Sequence, residues 1–172
     1  MLGAAVLSSD QLVHQIYAEP EVREAVAERF GVGVLTTTGE VDRTALAGIV
    51  FEDPGGRRFL EQLIHPRVGA ARAAWERAQR RKSPPPPLLV CEVPLLFEAG
   101  LSDRFDAVLV VTASDGVRRA RVEARGQDFA ARREHQMPED EKVARADRAI
   151  VNDGSLDELN AWVAARFSEY RN

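Results

Sequence analysis

The sequence has little cysteine and lysine, and it contains no long apolar run. Cys91 is the only cysteine, which excludes a disulfide within the chain and suits the reducing cytosol. No apolar stretch approaches the roughly 20 residues that a membrane-spanning helix needs. The short apolar start of the chain lacks the basic region of a signal peptide. The sequence therefore predicts a cytoplasmic protein without a membrane segment.

The chain also lacks a net positive charge. The 172 residues carry 27 acidic and 23 basic side chains, for a formal net charge of −4, so no overall field attracts nucleic acid. Only Lys82 and Lys142 are lysines, and the other 21 of these basic residues are arginines. A GC-rich genome is one explanation of this bias, and the ability of arginine to bind phosphate through two parallel hydrogen bonds is the functional alternative. The position of each arginine is therefore more informative than the number.

Short apolar runs alternate with helical segments along the chain, which is long enough for one domain. Strands are predicted at residues 4–7, 88–91, 107–111 and 149–151. Helices are predicted at residues 11–17, 21–30, 43–50, 54–64, 67–80, 115–125 and 155–167. Asp42 and Asp53 are predicted N-caps, and His65-Pro66 is predicted to separate two helices. This alternation indicates an α/β fold, a parallel sheet covered by helices.

Two carboxylates follow predicted strands, and ligands of such sheets bind at the carboxyl ends of the strands. Asp10 comes after the first strand, where it could take a proton from a substrate hydroxyl or could cap the next helix. Glu92 ends the second strand, where nucleotide-hydrolysing folds hold Mg²⁺ directly or through water. The apolar loop after Glu92 could instead be a buried plug.

Arginines are concentrated after the third strand. Arg118, Arg121 and Arg125 are spaced to lie on one helix face, which suits a polyphosphate, although a solvated surface is the alternative for each of them. Residues 126–138 contain few large apolar side chains and could form a mobile lid.

Two further segments have a structural and a functional interpretation. His65 could be a structural residue or could contact a phosphate or a ribose. Residues 152–155 (NDGS) could be only a turn with a helix cap, whereas in a nucleotide kinase the same loop would border the adenine.

The order and spacing of these segments resemble the dephospho-coenzyme A kinase family. VLSSDQLVH at residues 6–14 is similar to the segment with the family's catalytic aspartate, and HPRV at 65–68 is similar to its HPxV segment. EVPLLFE at residues 92–98 resembles its most specific motif, (D/E)VPLLFE. Its C-terminal signature is similar to three segments between residues 136 and 155: QMPEDEK at 136–142, AD at 146–147 and NDGS at 152–155. The resemblance runs from about residue 2 to about residue 165.

The resemblance implies a P-loop, nucleotide-kinase-like domain that transfers the ATP γ-phosphoryl group to the ribose 3′-hydroxyl of dephospho-CoA. Asp10 would be the general base, and Glu92 would assist Mg²⁺ through water. The residues expected to bind dephospho-CoA are His65, Pro66, Val93, Pro94, Leu95, Leu96, Phe97 and Glu98. The residues expected to bind ATP and its phosphates are Arg121, Arg125, Arg132, Asn152 and Gly154.

The predicted organisation is one kinase-like domain over residues 1–172. Its core would comprise residues 1–20 and 88–172, with a helical substrate-binding region at about 21–82 and the lid at about 126–138.

One part of the family pattern is absent from these residues. The family begins with a strand and a GxxxxGK[ST] loop whose lysine reaches the β- and γ-phosphates. Neither lysine of this chain lies near a glycine-rich turn. We therefore expect an N-terminally truncated kinase, without its first strand and P-loop, that is poorly stable and nearly inactive. The alternatives are a non-catalytic relative that binds CoA-type ligands and, with less support, another nucleoside or metabolite kinase.

Overall fold

The computed structural model describes residues 2–124 and 136–171. They form an α/β arrangement with parallel strands, as predicted. The strands are β1 (Ala5–Ser8), β2 (Leu89–Glu92), β3 (Leu109–Thr112) and β4 (Arg148–Val151). The α-helices are α1 (Ser9–Tyr17), α2 (Pro20–Phe30), α3 (Arg43–Glu52), α4 (Pro54–Arg80), α5 (Asp115–Glu123), α6 (Glu139–Arg145) and α7 (Leu156–Tyr170). Single-turn 3-10 helices lie at Val32–Val34 and Ser102–Arg104. The chain forms two compact units, Gly3–Val93 and Pro94–Asn172.

The first unit contains one parallel strand pair, β1 with β2. Ala5 lies opposite Leu89 and Ser8 lies opposite Glu92. Parallel neighbours need a long crossover connection, and helices α1 to α4 provide it. Because side chains alternate between the two faces of a strand, Val6 and Val90 share one face, and both are exposed.

The apolar core of this unit lies among its helices. Helices α1, α2 and α3 all pack against α4. The buried core residues are Ile16, Val22, Val26, Val34, Leu46 and Ile64. Val22 and Val26 are four positions apart and lie on one face of α2, and both are fully buried. Helix α4 is therefore the central packing element of the first unit.

Helix α4 runs without interruption from Pro54 to Arg80, with Pro66 inside it. The prediction of two helices separated at His65-Pro66 is therefore wrong. Proline has no amide hydrogen, so one intrahelical hydrogen bond is lost. Next to the proline, the side chain of Arg67 donates to the carbonyl oxygen of Leu63 at 2.8 Å. Packing of Ile64 and Val68 with the core holds the helix on both sides of the proline.

Both predicted aspartate caps are confirmed. The carboxylate of Asp42 accepts hydrogen bonds from the amides of Thr44 (2.9 Å) and Ala45 (3.1 Å). The carboxylate of Asp53 accepts from the amide of Gly55 at 2.9 Å and forms an ion pair with Arg29 at 2.9 Å. The backbone amide of Gly56, together with Arg29 and the amide of Gly55, lowers the pKa of Asp53 below its usual value.

We expect Asp53→Asn to reduce the loss of stability in acid. Because the folded-state pKa of Asp53 is lowered, its carboxylate stabilises the fold fully above the unfolded-state pKa of about 4. This contribution is lost as the pH falls through the lower folded-state pKa. Asparagine still accepts the amide hydrogen bonds but does not titrate. Urea unfolding midpoints near neutral pH and at about pH 3 should differ less in the variant than in the wild type. An equal difference would contradict the prediction.

The second unit contains the parallel pair β3 with β4. Leu109 lies opposite Arg148 and Thr112 lies opposite Val151. Helix α7 begins with a capping box, in which the Ser155 hydroxyl accepts from the Glu158 amide and the Glu158 carboxylate accepts from the Ser155 amide. Arg148 then connects β4 to α7 through an ion pair with Glu169 at 2.6 Å.

Each predicted strand overlaps an observed strand, and each predicted helix overlaps an observed one, with the helices predicted at residues 54–64 and 67–80 joined in α4. Helix α6 was not predicted, because seven residues are too few for a clear helical period. The predicted lid is described only from residue 136 onward, and the single-domain organisation stays a prediction. None of the helices in residues 2–124 and 136–171 is long and apolar enough to cross a membrane.

Candidate active site

Asp10 and Glu92 lie at the same end of the first strand pair. Ser8 and Glu92, the last residues of β1 and β2, are directly opposite each other. Helix α1 begins at Ser9, so Ser8 is at the N-cap position and Asp10 lies inside the first turn. The interpretation of Asp10 as an N-cap is therefore wrong. Its carboxylate is in an exposed residue at the positive end of a helix, where negative charge is stabilised.

His65 and Pro66 lie in the middle of α4, and both are exposed. The guanidinium of the adjacent Arg67 pairs with the Glu19 carboxylate at 3.5 Å and donates to the Leu63 carbonyl oxygen, so this side chain is held by other parts of the first unit. The imidazole of His65 is thus available on the helix surface.

The VPLLF segment forms a closed helical turn. The amide of Leu101 donates to the carbonyl oxygen of Leu96, and the amide of Gly100 donates to that of Phe97, both at 3.0 Å. These two bonds form a Schellman motif, which needs a left-handed residue at its end. Gly100 provides it with φ of 62°. Leu95 is left exposed at the tip of the turn.

The side chain of Glu98 is held by two donors. Its Oε1 atom accepts from the Met137 amide at 2.9 Å and pairs with the Lys142 ammonium at 2.8 Å. Desolvation of Glu98 opposes ionisation, but the hydrogen bonds from Lys142 and Met137 outweigh it, so the pKa of Glu98 is lowered. Glu98 is therefore a carboxylate fixed by its neighbours.

A cavity of about 200 Å³ opens at the carboxyl end of β3 and β4. Arg121 of α5 and Asn152, just after β4, both line it. The structure thus brings together two of the predicted ATP-binding residues. Arg118, one turn before Arg121, also lines the cavity and pairs with Glu139 at 2.6 Å.

A buried hydroxyl group belongs to one of the residues that line the cavity. Thr112, the last residue of β3, lines the wall, and its Oγ1 atom is buried without a hydrogen-bond partner in the described part of the chain. Buried polar atoms are usually hydrogen-bonded, so this hydroxyl is an exception among the described residues. Thr112 and Glu139 were not among the predicted site residues. The position of Thr112 directly after the predicted strand at residues 107–111 was the available signal.

Two aspartates of the C-terminal signature hold the second strand pair at its ends. The carboxylate of Asp147 accepts from the Val108 amide before the strands, and that of Asp153 accepts from the Ser114 amide after them, both at 2.7 Å. At Gly154, an added Cβ would overlap the Glu158 carboxylate that caps α7. These residues therefore shape the loop that carries Asn152.

Arg125 and Arg132 lie outside the described residues. Within residues 2–124 and 136–171, no group of three or more His, Cys, Asp or Glu side chains could hold a metal ion. Glu92 alone is still compatible with Mg²⁺, which usually keeps several waters and needs only one or two carboxylates beside substrate phosphates.

Comparison with known proteins gives a consistent result. The family profile described as dephospho-CoA kinase matches residues 1–158. The dephospho-CoA kinase of Symbiobacterium thermophilum is 42% identical over 169 residues, which cover 95% of this chain and 70% of that protein. The dephospho-CoA kinase of Aquifex aeolicus is 36% identical over 174 residues, which cover 98% of this chain and 86% of that protein.

Solved structures agree with these sequence matches. The crystal structure of TT1252 from Thermus thermophilus matches with a TM-score of 0.79 and 36% identity, over 97% of this chain and 85% of the other. Dephospho-CoA kinase from Campylobacter jejuni matches with a TM-score of 0.67 and 25% identity, over 98% of this chain and 85% of that chain. The family predicted from the sequence motifs is therefore confirmed, and the chain belongs to the dephospho-CoA kinase family.

Proposed function

We propose that the protein transfers the γ-phosphoryl group of ATP to the ribose 3′-hydroxyl of dephospho-CoA, with CoA and ADP as products. The observation that carries this proposal is the position of Asp10 and Glu92 at one end of a parallel strand pair. Acidic groups at such an end are suited to a hydroxyl acceptor and to phosphate charge.

Asp10 acts as the general base in this proposal. It takes the proton of the 3′-hydroxyl as that oxygen attacks the γ-phosphorus and the bond to the ADP oxygen breaks. Its exposure in the first turn of α1 leaves the carboxylate accessible to a substrate. Glu92 would hold Mg²⁺ through water, and the ion would neutralise phosphate charge.

The cavity of the second unit binds the nucleotide in this proposal. Arg121 supplies a guanidinium for phosphate oxygens. Asn152, which also lines the cavity, would border the adenine together with Gly154, two residues later. The cavity volume and the polar side chains of Arg121 and Asn152 in its wall support a ligand at this place. Arg125 and Arg132 are proposed to add positive charge from residues outside the described part.

Dephospho-CoA is proposed to contact His65, Pro66 and the turn at residues 93–98. The exposed imidazole of His65 could donate to a phosphate or ribose oxygen. The apolar residues of the turn, with Leu95 exposed, offer surface for the uncharged part of the ligand.

Catalysis by this chain alone is proposed to be slow. Its 172 residues contain no GxxxxGK[ST] segment, and without such a loop the β- and γ-phosphates of ATP lack their usual backbone cradle. The second candidate function is a relative that binds CoA-type ligands without catalysis, although the presence of Asp10 argues against it because such a relative needs no general base.

Calorimetry and sensitive turnover measurements together test these proposals. The kinase proposal predicts dephospho-CoA binding, with a dissociation constant of roughly 1 μM to 1 mM, and ATP consumption that depends on dephospho-CoA. Tight binding without any turnover would favour the non-catalytic relative. Absence of dephospho-CoA binding, or ATP consumption that does not depend on it, would contradict the kinase proposal.

A further inference from the structure

Glu98, the last residue of the VPLLFE motif, has two hydrogen-bonding partners on the segment around α6. Met137 lies in the approach to α6, and Lys142 lies within α6. Both donors reach the same atom, Oε1 of Glu98. The end of the apolar turn is therefore attached to two successive points of the segment around α6.

The exposure of this pair differs from that of its neighbour on the same helix. The side chains of Lys142 and Glu98 are 14% and 18% exposed, although Glu98 taken as a whole residue is classed as exposed. The ion pair of Arg145 with Glu141, also on α6, has side chains that are 52% and 44% exposed. Exposed pairs contribute little, whereas breaking a largely buried one leaves a charge without compensation.

The identity of Lys142 is also informative. This chain uses arginine for 21 of its 23 basic residues, yet it has a lysine here. A compact ammonium can approach one carboxylate oxygen that already accepts an amide, whereas a guanidinium is a wide planar fork that matches both oxygens. The local geometry therefore favours lysine at this position.

We propose that Glu98 and Lys142 are positioning residues: their ion pair fixes the turn at residues 94–100 against α6 so that Leu95, Leu96 and Phe97 are preorganised for dephospho-CoA. The inference rests on the proposed function, since it assigns this turn to the substrate. It changes the role of Glu98 from direct contact with the ligand to support of the apolar residues before it. Preorganised binding surfaces gain affinity because less conformational entropy is lost on binding.

Calorimetric titration of dephospho-CoA into the full chain tests this role through two separate parameters. Lys142→Met and Glu98→Gln should each raise the dissociation constant about tenfold, roughly the loss of one charged hydrogen bond. The double variant should be no weaker than either single one, because the residues act as a pair. The stoichiometry should stay near that of the wild type, and Arg145→Met, which breaks the exposed pair on α6, should have no effect.

Several results would overturn the proposal. They are an unchanged dissociation constant in Lys142→Met, an equal effect of Arg145→Met, and additive losses in the double variant. A lower stoichiometry at an unchanged dissociation constant would mean that Lys142 only stabilises the fold.

A ligand-free measurement separates this inference from the proposed function. If the wild type does not bind dephospho-CoA, the proposed function fails. The fixing role of the Glu98–Lys142 ion pair is then tested by hydrogen exchange at the amides of Ala99, Gly100 and Leu101. These amides close the turn. Faster exchange in Lys142→Met but not in Arg145→Met would support the fixing role, and equal exchange in both would remove it.

Discussion

Replacing Asp10 by asparagine should lower the rate of phosphoryl transfer to dephospho-CoA by roughly 10²- to 10⁴-fold, the range for loss of a general base. Asparagine has nearly the same shape and keeps the first turn of α1 intact, but it cannot accept the hydroxyl proton at neutral pH. Binding of both substrates should change little. Single-turnover assays with radiolabelled ATP at high protein concentration are sensitive enough to measure a low rate of phosphoryl transfer.

The control for Asp10→Asn is Asp42→Asn in the same unit. Asp42 caps α3 with its carboxylate, so this variant should alter stability slightly and leave the transfer rate unchanged. If Asp10 contributes only to the helix dipole, its replacement should cost about 0.3–1 kcal/mol of stability and leave the rate intact. That result would contradict its role as the base.

Replacing Arg121 by methionine should weaken ATP binding by roughly 10- to 100-fold, the effect of losing a hydrogen bond between charged groups. Methionine keeps much of the apolar length of the side chain but removes the guanidinium from the cavity. Arg121→Lys should recover only part of the affinity, because an ammonium cannot form two parallel hydrogen bonds to phosphate. Isothermal titration with ATP measures each constant.

The control for Arg121 is Arg119→Met. Arg119 lies on the same helix but is not part of the cavity wall. Equal losses of ATP affinity in Arg119→Met and Arg121→Met would point to a general effect of charge on the surface and contradict a specific phosphate contact.

Features that depend on neighbouring residues could be predicted from the sequence. The apolar runs gave the strands, and Asp42 and Asp53 were recognisable caps because a cap needs only the next few amides. The spacing of Arg118 and Arg121 correctly indicated a common helix face, since both line one cavity. Family motifs then identified the family.

Features that depend on distant residues could not be predicted. The proline at position 66 suggests a break, but the packing of α1, α2 and α3 against α4 overrides that local preference. The partners of Glu98 and Arg118 come from around α6, a helix too short to show a period. The buried hydroxyl of Thr112 became significant only when β3 and β4 formed a cavity wall.

The two strand pairs also differ in the connection that each must close. Four helices separate β1 from β2 along the chain, whereas β3 and β4 are much nearer in sequence. Contacts between residues far apart in sequence form slowly, because the entropy of loop closure is lost before the contacts can stabilise the chain. We therefore expect β1 and β2 to join late in folding, after α1 to α4 have associated. The carboxylates of Asp10 and Glu92 would then reach the same end of the pair only in the final steps of folding.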